Sequence, residues 1–536
     1  MRSTSPLSKN LIIIFALVTI TFGNSLGNGF VGDDYGLVVN NTFYESWSNF
    51  PRVFDSSYLA QGNAYVSSRP KNDSGAISYR PVLSISYFID HGLWGKNPFG
   101  YHLTNLILHL ANSILVYLIV YSLATNSVAP LLAAILFAVH PVQSEAICAI
   151  GYRADSLSTL FVLWSFLFYI KDRSRNLIFA AFFYFLGVFT KESAVVLPAL
   201  LVVHDFYFRN DRRPKLIHNF KKRYSSFVII SIFYLYVYLK IFPNTTFDKI
   251  GLLGGNWLTH SISVLRIFWL HFTSLIMPFG VTIVPPQYAP PVNVLLDYPL
   301  AAAIILLILL VWMIWKTYSR SRTTSFFLLW FFVFYFPVSS LIPLANPFAH
   351  RFMYLPSIGL FSAMVVTLED LYRQGTLTEI KRFALKITAI AIIAFCVLIT
   401  SSLNSFWKNN FKLISLMYKN YPQHPKTCEL YANLYFSADA CPEATKILDR
   451  CLALDPQSPQ VHYMLGACSM DDFTFAKKHL EKAIKLSPHY AAAYERLGKL
   501  FLNQGDQQTA LDYFNKSLSI DPGFVAKEDL SKIYSK

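Results

Sequence analysis

The stretch "HLTNLILHLANSILVYLIVY", residues 102–121, decides the fold. From Leu103 onward it is apolar and about 20 residues long, enough for one helix to cross a bilayer. Yet His102, Asn105 and His109 recur along it at near-helical spacing. Polar and ionisable side chains are costly against lipid, so such a stripe faces protein or a cavity. The helix therefore belongs to a bundle. His109 reads equally well as a hydrogen-bonded histidine inside that bundle.

The rest of the chain agrees. Of 536 residues, 54% are hydrophobic, 16% aromatic and only 14% charged, where a soluble protein carries about 25% charge. Apolar runs lie at 11–27, 103–122, 128–148, 155–171, 176–190, 193–208, 224–242, 299–315, 324–342, 353–372 and 383–401. The net charge of +15 does not point to nucleic acid. The cations gather in short loops: "KDRSRN" (171–176), "RNDRRPK" (209–215), "KKR" (221–223), "KTYSRSR" (316–322) and "KRFALK" (381–386). That is the positive-inside pattern of a multi-pass membrane protein. Eleven spans with a cytoplasmic N-terminus place all of these loops in the cytoplasm and the C-terminus outside. The run 262–280 contains Arg266 and His271, and spanning there would move "KTYSRSR" outside, so it reads as interfacial or re-entrant. The first run reads as a retained span, a cleaved signal peptide being the alternative.

From about residue 425 the composition changes. Ala444, Leu448, Cys451 and Pro456 recur as Ala476, Leu480, Ala483 and Pro488, and again as Ala510, Phe514, Ser517 and Pro522. With Leu465-Gly466 and Leu497-Gly498 ahead of them, these form the tetratricopeptide (TPR) signature of about 34 residues per repeat. Such repeats bury their apolar faces only against neighbours and present a concave face to a peptide. The expected organisation is all-α: a polytopic bundle over 1–404, a linker over 405–424, three repeats over 425–522 and a capping helix over 523–536. In a helix hairpin Cys428 can face Cys451, and Cys441 can face Cys468. Other pairings and buried free thiols stay open.

The outward-facing segments hold most of the ionisable residues. Asp33 and Asp34 follow the first run. Arg80 precedes Pro81, His140, Glu145, Arg153 and Asp155 fall between the third and fourth runs, Lys191 and Glu192 sit in "TKES", and His350, Arg351 and Tyr354 in "HRFMY". Any one of them reads equally well as a structural pair or a solvated loop. Together they form a polar layer at one membrane face. Cations there suit an anionic headgroup, Arg by a bidentate fork and Lys as a point charge. A nearby carboxylate can deprotonate a hydroxyl, and paired aspartates can hold a hard divalent cation such as Mg or Mn. No HExxH, GxSxG or P-loop motif accompanies them.

In order along the chain, "FVGDDYGLVVNN", "YRPVLSISYFID", "FGYHLTNLILHLAN", "FAVHPVQSEAICAIGYRADSLSTLF", "TKESAVVLPALL" and "HRFMYLPSIGLF" precede the repeats. With them the chain resembles the transmembrane-and-TPR protein O-mannosyltransferases and their bacterial relatives, members of the GT-C superfamily. The resemblance implies a GT-C bundle, a polyprenyl-phosphate sugar as co-substrate, and transfer outside the cytosol. It places the base at Asp33 or Asp34. It places donor-phosphate binding at Arg351 and Tyr354, with Lys191 and Arg153, and supporting roles at Arg80, His102, Asn105, His109, His140, Glu145, Asp155, Glu192 and His350. His350 departs from the acidic residue of relatives, and the repeat array is short. The expected function is transfer of a hexose such as mannose to a protein Ser/Thr hydroxyl, the repeats binding acceptor or partner. The alternatives are a lipid or cell-surface glycan acceptor, or a non-catalytic anchored scaffold. The short array favours a bacterial inner membrane with periplasmic repeats over the endoplasmic reticulum.

Overall fold

The computed structural model describes residues 6–54, 79–124, 128–171, 174–209, 223–241, 251–283, 297–374 and 378–521. The chain divides into two compact units. The first comprises Met1–Asp34, Tyr44–Ser56 and Ser78–Lys408; the second comprises Tyr35–Phe43, Ser57–Ile77 and Asn409–Lys536. Among the described residues every regular element is helical.

In the first unit the helices are α1 (Pro6–Phe22), α2 (Pro81–Trp94), α3 (Pro98–Leu123), α4 (Ala129–Val139), α5 (Ser144–Cys148), α6 (Arg153–Ile170) and α7 (Ser174–Val188). There follow α8 (Leu197–Phe208), α9 (Ser225–Ile241), α10 (Trp257–Ile276), α11 (Tyr298–Tyr318), α12 (Arg322–Tyr335), α13 (Tyr354–Arg373) and α14 (Glu379–Asn404). Five helical segments among the described residues are long and apolar enough to cross a membrane, or six if one bent pair counts as a span; three more are apolar but shorter.

Three expectations change. The third run, read as one span over 128–148, is bent by 52° between α4 and the segment Pro141–Cys148. Pro141 cannot continue a helix and holds His140 extended (ψ 134°). The Val139 carbonyl at the break accepts from Thr400 Oγ1 at 2.7 Å. The run 193–208 is α-helical only over the 12 residues of α8, about 18 Å at 1.5 Å per residue and short of a bilayer. The run containing Arg266 is one continuous 20-residue helix, α10, which removes the re-entrant reading and leaves the interfacial one. Its Arg266 is closed by Asp297, which also caps α11.

The core is aromatic-rich, with Phe166, Phe326 and Trp330 in mutual contact. At Gly359 on α13 an added Cβ would lie 2.6 Å from both Phe327 O and Phe331 N of α12. Backbones approach this closely only where a small residue permits it, the usual device of membrane helix packing.

The second unit contains α15 (Asn410–Asn420), α16 (Pro425–Phe436), α17 (Cys441–Leu454), α18 (Pro459–Cys468), α19 (Phe473–Leu486), α20 (Ala491–Asn503) and α21 (Gln507–Ile520). α16 to α21 form the three expected hairpins, with Ala444, Leu448, Ala476, Leu480, Ala510 and Phe514 fully buried. The stretch expected as a linker is helical over α15, whose Tyr418 stacks on Tyr431 at 4.2 Å. Cys428 is bonded to Cys451 (Cα–Cα 5.5 Å) and Cys441 to Cys468 (5.3 Å). The expected capping helix lies outside the described residues.

Candidate functional site

The acidic motif is held by its own backbone. After α1 the chain turns at Gly32, whose φ of +52° is left-handed and suits glycine. Asp34 is buried, 1% exposed. Its N–H donates to Val31 O, and its Oδ2 accepts from Val31 N, both at 3.0 Å. Its Oδ1 accepts from Gly151 N at 2.6 Å. Burial pushes the Asp34 carboxyl up to about 7 against these hydrogen bonds. Asp33, by contrast, is exposed. Both oxygens of Asp34 thus face N–H donors rather than open space, and among the described residues no group of three or more His, Cys, Asp or Glu could hold a metal. The pair does not fit a divalent cation, and no step is derived through one.

Gly151 and Tyr152 belong to a 3₁₀ turn, Ile150–Tyr152, that connects the acidic motif to the cations. The guanidinium of Arg351 lies over the Tyr152 ring, 3.9 Å from its centroid, and 5.1 Å from that of Phe352. Glu145 takes Nη1 of Arg351 in an ion pair and accepts its backbone N–H at 3.0 Å. Nε and Nη2 of Arg351 have no hydrogen-bond partner among the described residues. Lys191 Nζ lies 5.4 Å from the centroid of the same Phe352 ring and pairs with Asp155. Burial pulls the Lys191 ammonium below its ordinary value, against the pull of Asp155. Arg80 is held by Glu192 through Nε at 3.2 Å and Nη2 at 2.8 and 3.0 Å. Sequence neighbours therefore do not pair: Lys191 and Glu192 face different partners. A small pocket is lined by Asp155, the partner of Lys191, and by Ser158, Thr159, Ser193, Phe334 and Phe352 among others.

Two residues expected to bind donor phosphate are enclosed instead. Arg153 is fully buried. Its Nη2 lies 2.5 Å from Asp90 Oδ2 and donates to Tyr101 O at 3.1 Å, while Nε donates to Asn105 Oδ1 at 2.7 Å. Its partner is thus Asp90 of α2, not Asp155, and no face of the guanidinium is left for a ligand. Tyr354 is also fully buried, with its hydroxyl 2.8 Å from His109 Nδ1 and 3.2 Å from Asn112 Nδ2. His109 Nε2 meets the Ala138 carbonyl at 3.0 Å. A carbonyl can only accept, so Nε2 carries the proton and Nδ1 accepts from Tyr354. His109 is the hydrogen-bonded bundle histidine.

Of the other supporting residues, Asn105 also donates to Ile147 O (3.0 Å), and His102 Nε2 meets Gly29 O (3.3 Å) beside the acidic loop. His140 Nδ1 accepts from Val142 N (3.2 Å) at the α4 break. His350 is buried against Phe348 beside Arg351. Asp90, Tyr152 and Phe352 were not singled out by sequence reasoning. Tyr152 sits inside "GYRAD" between Gly151 and Arg153, and Asp90 at the end of "YRPVLSISYFID"; neither carries a signal of its own until the turn and α2 are placed.

A helical bundle with apolar spans and one charged layer, followed by a disulfide-stapled TPR solenoid, defines a multi-pass membrane protein with a repeat module. A tetratricopeptide repeat family model matches residues 491–524. A protein O-mannosyl-transferase of Caenorhabditis elegans is 24% identical over 519 residues, covering 90% of this chain and 63% of that protein. Protein O-mannosyl-transferase TMTC3 of Homo sapiens is 30% identical over 168 residues (31% of this chain, 18% of that protein), and TMTC2 of Mus musculus 33% over 165 residues (29% and 20%). The chain is similar to these O-mannosyl-transferases, in keeping with its ordered motifs, and spans less than two thirds of their length. The crystal structure of ArnT from Cupriavidus metallidurans bound to undecaprenyl phosphate covers 91% of this chain and 77% of its own at 12% identity, with a TM-score of 0.39, a likeness too remote to build on.

Proposed function

We propose that this protein is a glycosyltransferase that moves a sugar, a hexose such as mannose, from a polyprenyl-phosphate donor to a protein Ser/Thr hydroxyl on the extracytoplasmic side. The observation that carries the reading is the pair of cations near the Phe352 ring, Arg351, whose Nε–Nη2 edge is unengaged among the described residues, and Lys191. That edge suits a bidentate phosphate contact. The acidic motif is tied to the same place through the Gly151–Tyr152 turn.

In the proposed reaction Asp33 takes the proton of the acceptor hydroxyl, the hydroxyl oxygen bonds to the anomeric carbon, and the sugar–phosphate bond breaks. The electron pair leaves on the phosphate, whose charge Arg351 and Lys191 stabilise. Asp34 holds the loop through its two N–H contacts. The exposed Asp33 is the carboxylate of the two that an acceptor can reach. The repeats receive the acceptor or a partner. Two disulfides in them support an oxidising compartment.

The test is transfer from a synthetic polyprenyl-phosphate mannose to Ser/Thr peptides, read by mass. Asp33→Asn should lower kcat by about 10²–10⁴ while polyprenyl phosphate still binds. Unchanged transfer in Asp33→Asn would remove Asp33 as the base.

A further inference from the structure

We propose that Tyr152 is a positioning residue: its ring sets the plane of the Arg351 guanidinium that receives the donor phosphate, an inference that rests on the reading of Arg351 above. The Arg351 Cζ is 3.9 Å from the Tyr152 ring centroid, close enough for the guanidinium plane to lie against the ring face. Arg favours such stacks because its charge is planar and weakly hydrated. Otherwise the guanidinium has its Nη1 ion pair with Glu145 and the more distant Phe352 ring, 5.1 Å from its centroid. An ion pair at one nitrogen fixes a position more than a plane. The Tyr152 ring sets that plane and leaves the Nε–Nη2 edge facing away from Glu145.

The residue's place in the chain gives the contact a second consequence. Tyr152 is adjacent to Gly151, whose N–H holds Asp34 at 2.6 Å, and to Arg153, whose buried guanidinium anchors the start of α6. The turn is therefore fixed at one end by Arg153, and from that fixed base it positions a backbone donor toward the acidic loop and a ring toward the cation. The spacing between the carboxylate motif and the phosphate cation is set by this single turn. Burial and the nearby Asp33 carboxylate push the Tyr152 phenol up, so it acts as a neutral ring at physiological pH.

The full-length protein in detergent is titrated with polyprenyl phosphate lacking sugar, so that binding is read without turnover, and then assayed for transfer. Tyr152→Phe keeps the ring and should bind within about twofold of the parent. Tyr152→Leu and Tyr152→Met remove the π face and should weaken binding about tenfold, in line with a partly desolvated cation–π contact, with KM for the donor rising in step and a smaller change in kcat. The two aliphatic variants differ in bulk, so one that folds suffices. Parent-like binding in the aliphatic variants, with Arg351→Gln losing it, overturns the role of Tyr152 and leaves the phosphate reading standing. Parent-like binding in Arg351→Gln overturns the reading itself. A tenfold loss in Tyr152→Phe assigns the effect to the hydroxyl and also refutes the proposal.

Discussion

Replacing Asp90 by Asn tests whether Arg153 braces the bundle or binds a ligand. Arg153 is 0% and Asp90 2% exposed, so the charge on Arg153 has no solvent to fall back on. Asp90 also accepts from Thr104 Oγ1 at 2.7 Å, and Arg153 lies 5.0 Å from the Tyr87 ring; the pair thus ties α2 to α3 and α6. Removing one partner of a buried ion pair typically costs about 3–5 kcal/mol, because the other charge stays behind uncompensated. At about 2–4 °C per kcal/mol for a mid-sized domain, and less for a larger one, the apparent Tm should fall on the order of 5–10 °C. The assay is thermal unfolding in detergent followed by size-exclusion fluorescence, run beside polyprenyl-phosphate binding at a temperature where both proteins are folded. The double variant Asp90→Leu with Arg153→Met should recover most of the loss, since a buried pair exchanged for apolar side chains is often near neutral. If Asp90→Asn and Arg153→Met leave the Tm unchanged but abolish phosphate binding, Arg153 is a ligand residue and the bracing argument fails.

Asp34 makes stability depend on pH in a definite direction. Its folded value of about 7 stands above the ordinary 3.8, so between those values the folded state holds a proton the unfolded state has released. Stability contributed there falls as pH rises from about 4 to about 7, and Asp34→Asn should flatten the Tm–pH profile; equal slopes in the two proteins would contradict this. Glu145→Gln should lower the Tm of the ligand-free protein but enlarge the stabilisation by added polyprenyl phosphate, because Arg351 then lacks its charge partner until the anion arrives; a shrinking ligand response would show that Glu145 orients Arg351 rather than competing for it. Reduction of the two disulfides, which close loops with sequence separations of 23 and 27, should destabilise the repeats by about 3 kcal/mol per bridge, read as a lower Tm of the intact protein with reductant.

How much of this was legible beforehand depended on the range of the interaction. The repeats were legible, since small residues at Ala444, Ala476 and Ala510 and the prolines between hairpins mark local helix packing; hairpin geometry allowed the cysteine pairs found in the structure but left other pairings and free thiols open. Helices with a long apolar run, such as α3 and α11, were equally plain. The break at His140–Pro141 was written in the proline but masked by the apolar residues on both sides. Pairing among the charged residues was not legible. Lys191 and Glu192 are adjacent, yet one meets Asp155 and the other Arg80; Arg153 and Asp155 are two apart, yet point to different partners. On a helix or turn, residues one or two apart do not face each other, so adjacency in a motif carries no information about contact. Tyr354 parts from Arg351 because a boundary between a 3₁₀ turn and α13 lies between them. Three residues after Arg351, it opens α13 and points into the bundle toward His109, while Arg351 remains on the turn before it.

The paired cations bear on why such a layer can exist at the edge of a membrane. An isolated buried cation is strongly disfavoured, and the protein meets this by giving Arg351, Lys191 and Arg80 each a carboxylate from another segment: Glu145, Asp155 and Glu192. Arg80 is gripped at both Nε and Nη2, the bidentate form that is hardest to exchange. Arg351 and Lys191 are held at a single side-chain nitrogen each, and both lie near the Phe352 ring. In the proposed reaction the phosphate would meet the open Nε–Nη2 edge of Arg351 while Glu145 keeps Nη1, so it would enter a layer whose desolvation is already met in the folded chain. On the proposed reading, the difference in grip separates the two cations assigned to the phosphate from the one that only closes the structure, a distinction that residue type alone does not make.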